Sequence, residues 1–227
     1  MEGRQYQHEI EFWDLPNGVL QQYQARGITK LYAWQANCVA APGVLDGSAN
    51  LVYSAPTSGG KTLVAEIILW KKLANSPKKK VLIILPYVSL VREKTNHLRK
   101  ILKKGCNGVK IKIQSFSGNS VTILKKRTRI VVCTIEKADK IINQALQHKR
   151  IDDYGVVVID EVHLIGDPSR GARLEMLITK LMVARHHIAR NKNDVDNCLQ
   201  LVAMSATLPR DNLRFLQSRT NVYLSRR

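Results

Sequence analysis

The 227-residue sequence has no apolar run long enough to cross a bilayer; its best, VLIILP (81–86) and GVVVID (155–160), are of strand length. Its opening, MEGRQYQHEIEF, is polar and mixed in charge, unlike a secretory leader. Cys38, Cys106, Cys133 and Cys198 lie far apart and form no CxxC pair. That argues against a structural zinc site or a disulfide framework and fits a reducing compartment. There is no repeat at solenoid spacing and no low-complexity tract. Aromatics are only 6% of the chain, too few for a base-stacking platform. Acidic residues are short too: 18 Asp and Glu face 36 Lys and Arg, a net charge of +18 dispersed in clusters. Such a surplus points to a polyanionic partner, most often nucleic acid.

What the chain does have is alternation. Short apolar runs at 50–55, 80–86, 109–116, 129–134, 155–160 and 199–205 are separated by helical patterns at about 60–74, 87–103, 136–148, 171–190 and 210–218. Apolar strands alternating with helices predict an α/β fold: a mostly parallel central sheet with helices on both faces. Ligands in such folds bind at the carboxyl ends of the strands. Residues 1–48 read as an N-terminal helical segment with two short helices, and 49–227 as the main lobe. The polar stretch RHHIARNKNDVDN (185–197) reads as a surface loop.

Every chemical motif falls at a strand end. APTSGGKT (Ala55, Pro56, Thr57, Ser58, Gly59, Gly60, Lys61, Thr62) fits a phosphate-binding loop except at its first position, with a strand before it and a helix after it. Gly59 and Gly60 let backbone N–H groups approach phosphates, Lys61 reaches the β- and γ-phosphates, and the Thr62 hydroxyl suits Mg2+. VVVIDEVH (156–163) is a hydrophobic strand ending in carboxylates. There Asp160 is placed for Mg2+ and Glu161 as general base on the attacking water. Adjacent carboxylates beside a buried strand are costly without a cation.

With DEVH at 160–163 and Ser205-Ala206-Thr207, the loop resembles motifs I, II and III of superfamily 2 DExH helicases in order and spacing. GITKLYAWQ (27–35) resembles the Q-motif, LPYVSLVREK (85–94) motif Ia, FSG (116–118) the adjacent turn and CTIEKA (133–138) motif Ib. The stretch DEVHLIGDPSRGARLEMLITK is similar to the DNA-repair branch that includes the helicase domain of DNA polymerase theta and helicase Q. The resemblance implies a RecA-like P-loop NTPase lobe using ATP and Mg2+. In it Gln35 reads adenine, and Ser205, Ala206 and Thr207 couple the nucleotide to nucleic acid through the DExH segment, His163 included. Alanine at the first loop position, Ala55, is common in that superfamily.

The resemblance also implies phosphate contacts or loop ordering by Pro86, Ser117, Gly118, Thr134 and Glu136. Arg92 and Arg170 are either further contacts or solvated helix arginines. It further implies a nuclear DNA-repair protein moving 3′ to 5′ on single-stranded DNA. Motifs IV to VI do not follow Thr207, so the expected second RecA-like lobe, with its arginine finger, belongs to a longer parent chain. An RNA helicase lobe and a non-catalytic nucleic-acid-binding module remain the alternatives. The basic clusters SPKKK (76–80) and LKKRTR (124–129) read as nuclear-localisation signals or, more simply, as solvated loops.

Overall fold

Strand runs that are apolar at every position need cover on both faces, and the computed structural model shows how they obtain it. It describes residues 8–102, 111–191, 199–209 and 222–226. The strands are β1 (Asn50–Ser54), β2 (Lys80–Leu85), β3 (Lys112–Phe116), β4 (Thr128–Thr134), β5 (Tyr154–Ile159), β6 (Gln200–Ser205) and β7 (Val222–Arg226). They form one sheet in the order β3-β4-β2-β5-β6-β1-β7, and every pairing is parallel.

Successive residues face opposite layers, as the period of two requires. Val81, Ile83 and Leu85 of β2, with Val156 and Val158 of β5, enter one core. Leu82 and Ile84, with Val157 and Ile159, enter the other. Over the first face lie α1 (Asn17–Gln24), α2 (Ala33–Val39), α3 (Lys61–Asn75) and α4 (Val88–Leu102). Over the second lie α5 (Ile135–Gln147) and α6 (Gly171–Asn191). On α4 the buried positions Val91, Thr95, Leu98 and Ile101 recur every three to four residues, one stripe of an amphipathic helix. The expected α/β class, with helices on both faces, is what the chain adopts.

Two features differ from the sequence reading. Residues 185–190, covered both by the helical pattern at 171–190 and by the polar loop at 185–197, are helical: α6 runs on to Asn191, because Ala184 and Ile188 are buried and no glycine or proline interrupts them. Arg185 adds hydrogen bonds to the carbonyls of Gly47, Leu199 and Ser48 at 3.3, 2.6 and 2.5 Å. Strand β7, unforeseen, pairs with β1 at the sheet edge. The helix expected at 210–218 lies outside the described residues, as do Cys106 and Cys198; Cys38 and Cys133 are buried thiols. Among the described residues no helix is long and apolar enough to cross a membrane.

One buried polar network ties three helices together on the first face. Glu66 of α3, only 2% exposed, accepts hydrogen bonds from the Tyr23 hydroxyl of α1 and the Lys94 ammonium of α4. His97 Nε2 stands 2.9 Å from Glu66 Oε1, and Trp70 Nε1 donates to Tyr23 Oη at 3.1 Å. Burial pushes the Glu66 carboxyl up, but the Lys94 charge and the His97 hydrogen bond outweigh it and hold the group at about 2. A folded value below the unfolded one, about 4.3, means stability present above that pH and lost as pH falls toward 2. Glu66→Gln leaves the Lys94 charge without its carboxylate and is expected to cost about 3 kcal/mol at neutral pH. Urea unfolding across pH should show the deficit shrinking below pH about 4.

Candidate nucleotide and nucleic-acid site

The strand order decides which motifs meet. β6 lies between β1 and β5, so the Ser205 end of β6 stands between the Ala55–Thr62 loop and the Asp160-Glu161 pair. On the other side of β5, β2 and β4 carry the Pro86 and Thr134 ends.

The loop is held from several sides. Ala55 N donates to Ser205 O at 3.3 Å and Gly59 N to Pro56 O at 2.9 Å. Lys61 Nζ donates to the carbonyls of Ala55 and Pro56 at 3.0 and 3.1 Å, so its ammonium is folded over the loop. Gly60 adopts φ +82°, and a β-carbon there would come within 2.5 Å of Gln35 Nε2, so both conformation and space require glycine. Ser58, also in the loop, has φ +62°. Gln35 is 2% exposed; its Nε2 donates to Gly60 O at 2.9 Å and its Oε1 accepts from Tyr32 N at 2.8 Å. Its amide therefore braces the loop, with one N–H and one lone pair left over.

At the end of β5, Asp160 Oδ1 accepts from Glu161 N at 2.9 Å. Burial, with the neighbouring Glu161 charge second, raises the Asp160 carboxyl above its ordinary range. Glu161 itself has φ +52°, a left-handed conformation uncommon for a residue with a side chain. Its Oε2 lies 3.1 Å from His163 Nδ1 and 3.5 Å from Ser205 Oγ, which is 2.7 Å from His163 Nδ1. Thr207 N donates to Ser205 Oγ at 3.3 Å, and Ser54 Oγ to Ala206 O at 3.2 Å. The Ser205-Ala206-Thr207 segment thus touches both the loop strand and the DExH segment.

The residues present suit a divalent cation. Thr62 and Asp160, the two side chains assigned to Mg2+, line one cavity of about 330 Å³ beneath the loop. Among the described residues no group of three His, Cys, Asp or Glu converges. A cation there would complete its shell with phosphate oxygens and water, as Mg2+ commonly does.

A second group assembles over β2 and β4. Arg170 Nη1 donates to Pro86 O at 2.7 Å, Arg170 Nε lies 3.8 Å from Glu136 Oε1, and its guanidinium sits 5.4 Å from the Tyr87 ring centre. Burial raises the Glu136 carboxyl, but the hydrogen bond with the Thr134 hydroxyl and the Arg170 charge prevail and lower it. Pro86, Thr134, Glu136 and Arg170 therefore form one cluster. Ser117 and Gly118 occupy a separate turn after β3, where Ser117 N donates to Ser120 Oγ at 3.1 Å. Arg92 is exposed on α4 and joins neither group.

With this geometry in place, comparison with known families is informative: the profile of the DEAD/DEAH box helicase family matches residues 33–215. The chain belongs to that family. DNA polymerase theta of Mus musculus is 41% identical over 217 residues, covering 93% of this chain and 8% of its own length. The POLQ-like helicase of Homo sapiens is 38% identical over 91% of this chain and 18% of its own. ATP-dependent DNA helicase Hel308 of Methanocella arvoryzae is 34% identical over 86% and 24%. This helicase domain therefore spans a quarter or less of those relatives. The DUF1998 helicase MrfA has the same fold, with TM-score 0.73 at 20% identity over 93% of this chain and 32% of its own; a DNA-bound structure of it gives 0.70 at 19% over 94% and 30%.

The sequence reading passed over Tyr87, Asp167 and Gly171. Asp167 Oδ1 accepts from Ser169 N and Arg170 N at 2.8 and 2.9 Å and so aims Arg170. A charged residue four before an apolar helical run was the available signal. Gly171 follows Arg170, and a β-carbon there would come within 2.2 Å of Ile165 O. Gly171→Ala is expected to destabilise this helicase domain by about 1–3 kcal/mol, read as a lowered thermal midpoint.

Proposed function

We propose that this domain is the ATP-binding motor lobe of a DNA helicase or translocase that couples ATP hydrolysis to 3′-to-5′ movement on single-stranded DNA. The observation that carries the reading is the single hydrogen-bonded path from the phosphate loop through Ser205 to Glu161 and His163. Beside it, on adjacent strand ends, lies the Pro86–Thr134–Glu136–Arg170 cluster. The relatives, a DNA helicase and a DNA polymerase by name, favour DNA over RNA.

In this reading the backbone N–H groups of residues 58–62 and the Lys61 ammonium hold the β- and γ-phosphates, Lys61 exchanging its loop carbonyls for phosphate oxygens. Gln35 fixes Gly60 and offers its remaining N–H and lone pair to adenine. Mg2+ held by Thr62 and Asp160 would neutralise charge on the phosphates. Glu161 accepts the proton of the attacking water. Ser205 and His163, both within reach of the Glu161 carboxylate, report its state to the segment leading to Thr207. Pro86, Arg92, Ser117, Gly118, Thr134, Glu136 and Arg170 contact phosphates or shape the surface that does, which carries no sequence information.

The parent protein supplies a second RecA-like lobe with the arginine finger, and acts in DNA repair in the nucleus. Residues 49–227 form the lobe proper, and 1–48 the segment that brings the Q-motif to it.

In the full-length protein, Glu161→Gln is expected to lower DNA-stimulated ATP hydrolysis roughly 10²–10⁴-fold while nucleotide still binds. Lys61→Ala is expected to abolish nucleotide binding itself. Steady-state ATPase assays with single-stranded DNA and with RNA, beside fluorescent-nucleotide titrations, check both outcomes. Full turnover by Glu161→Gln would remove it as the base, and stronger stimulation by RNA would replace the DNA assignment.

A further inference from the structure

Of the two basic clusters, the one at 76–80 has two of its three lysines, Lys79 and Lys80, engaged inside the fold. Lys79 donates to Asp152 O at 2.6 Å, Lys80 pairs with Asp153 at 2.6 Å, and Arg129 donates to Lys79 O at 2.6 Å. Lys125 and Lys126 of the other cluster are exposed, and among the described residues neither has a carboxylate within ion-pair distance. They line a depression of about 550 Å³ that reaches Lys80 and Tyr154 at the amino ends of β2 and β5. A second depression, of about 620 Å³, starts at Gly118 and passes Lys137 and Lys140. Thr122, Ile123 and Gln144 line both, so the two are one groove. It descends along α5 from the carboxyl-end surface to the opposite edge of the sheet, about 20 Å at 1.5 Å per residue of helix.

The wall facing α5 is fixed in place. Lys137 Nζ donates to Ser120 O at 2.6 Å; Gln114 Nε2 donates to Ile123 O at 3.2 Å, and its Oε1 accepts from Lys125 N at 2.8 Å. Among the described residues lining the groove, Asp153 is the one carboxylate, and Lys80 and Arg150 both bind it. Lys125, Lys126 and Lys140 thus leave a net positive floor and rim. Val121 and Ile123, 74% and 68% exposed, add apolar surface on the same wall.

We propose that this groove is a backbone-binding channel for single-stranded nucleic acid, carrying the strand away from the Ser117–Gly118 turn along α5. The proposal rests on the motor-lobe reading above and extends its strand path. Charge complementarity and continuity with that turn favour phosphates; sugars and base faces rest on Val121 and Ile123. Among the described residues lining the groove no Phe, Tyr or Trp is exposed, and backbone contacts carry no sequence information, so binding is blind to base identity.

The test uses the full-length protein with Lys125→Glu, Lys126→Glu and Lys140→Glu combined, all at exposed positions. Fluorescence anisotropy with a long oligothymidylate should show affinity lowered roughly tenfold and the slope of log K against log salt reduced by about two. A short oligothymidylate that covers only the carboxyl-end surface should bind as before, and basal ATPase should not change. An unchanged slope, or equal losses for both lengths, would overturn the channel. Loss of binding to a fluorescent polyglutamate with oligothymidylate binding intact would assign the groove to an acidic protein segment instead. If the unsubstituted protein binds neither oligonucleotide, the motor-lobe reading fails first and the channel with it.

Discussion

Everything in this domain follows from a sheet whose inner strands are covered on both faces. The inner strands β2, β4, β5 and β6 are buried at successive positions, and helices cover both layers. Parallel neighbours cannot be joined by a tight turn and need a crossover, a helix after β1, β2, β4 and β5 and the 117–127 loop after β3, so these strands point their carboxyl ends to one edge. The loops that leave that edge are the only backbone near the chemistry that the sheet does not constrain. They carry the site's two left-handed residues with side chains, Ser58 and Glu161.

Strand order then divides that edge into two territories. β1, β6 and β5 present the phosphate loop, Ser205 and the two carboxylates side by side; β2 and β4 present Pro86 and Thr134. The shared neighbour is β5, paired with β6 on one side and β2 on the other. A change at Glu161 is therefore one strand from Ser205 and one strand from Pro86. Arg170, aimed by Asp167, adds a tie from the start of α6 back over β2.

Two desolvated carboxylates, the buried Glu66 and the half-buried Asp160, titrate in opposite directions. Glu66 has Lys94 and His97 in contact and is held far below the ordinary range, the behaviour of a structural ion cluster. Asp160 is raised by burial first and by the carboxylate of Glu161 beside it second, which is unfavourable for the protein alone and favourable for a bound cation. Both line the same cavity, so the difference lies in their partners rather than in their depth.

The sequence by itself determined the layer architecture and the functional motifs, because both are written in local patterns. A run such as VLIIL, short, rich in β-branched residues and bounded by lysines and Pro86, reads as a doubly buried strand, and APTSGGKT between such a run and a helical pattern reads as the turn where a strand meets a helix. It missed β7, whose mixed NVYLSR run is paired on one side only, and it left 185–190 both at the end of a helix and in a polar loop, because polar HHIARN hides a single buried Ile188. Only the tertiary structure decided that β6 sits between β1 and β5, that Glu66 faces Lys94, His97 and Tyr23, and that Gln35 braces Gly60. Those facts depend on contacts between residues 25 to 150 positions apart, and spacing along the chain carries no record of which strand lies beside which.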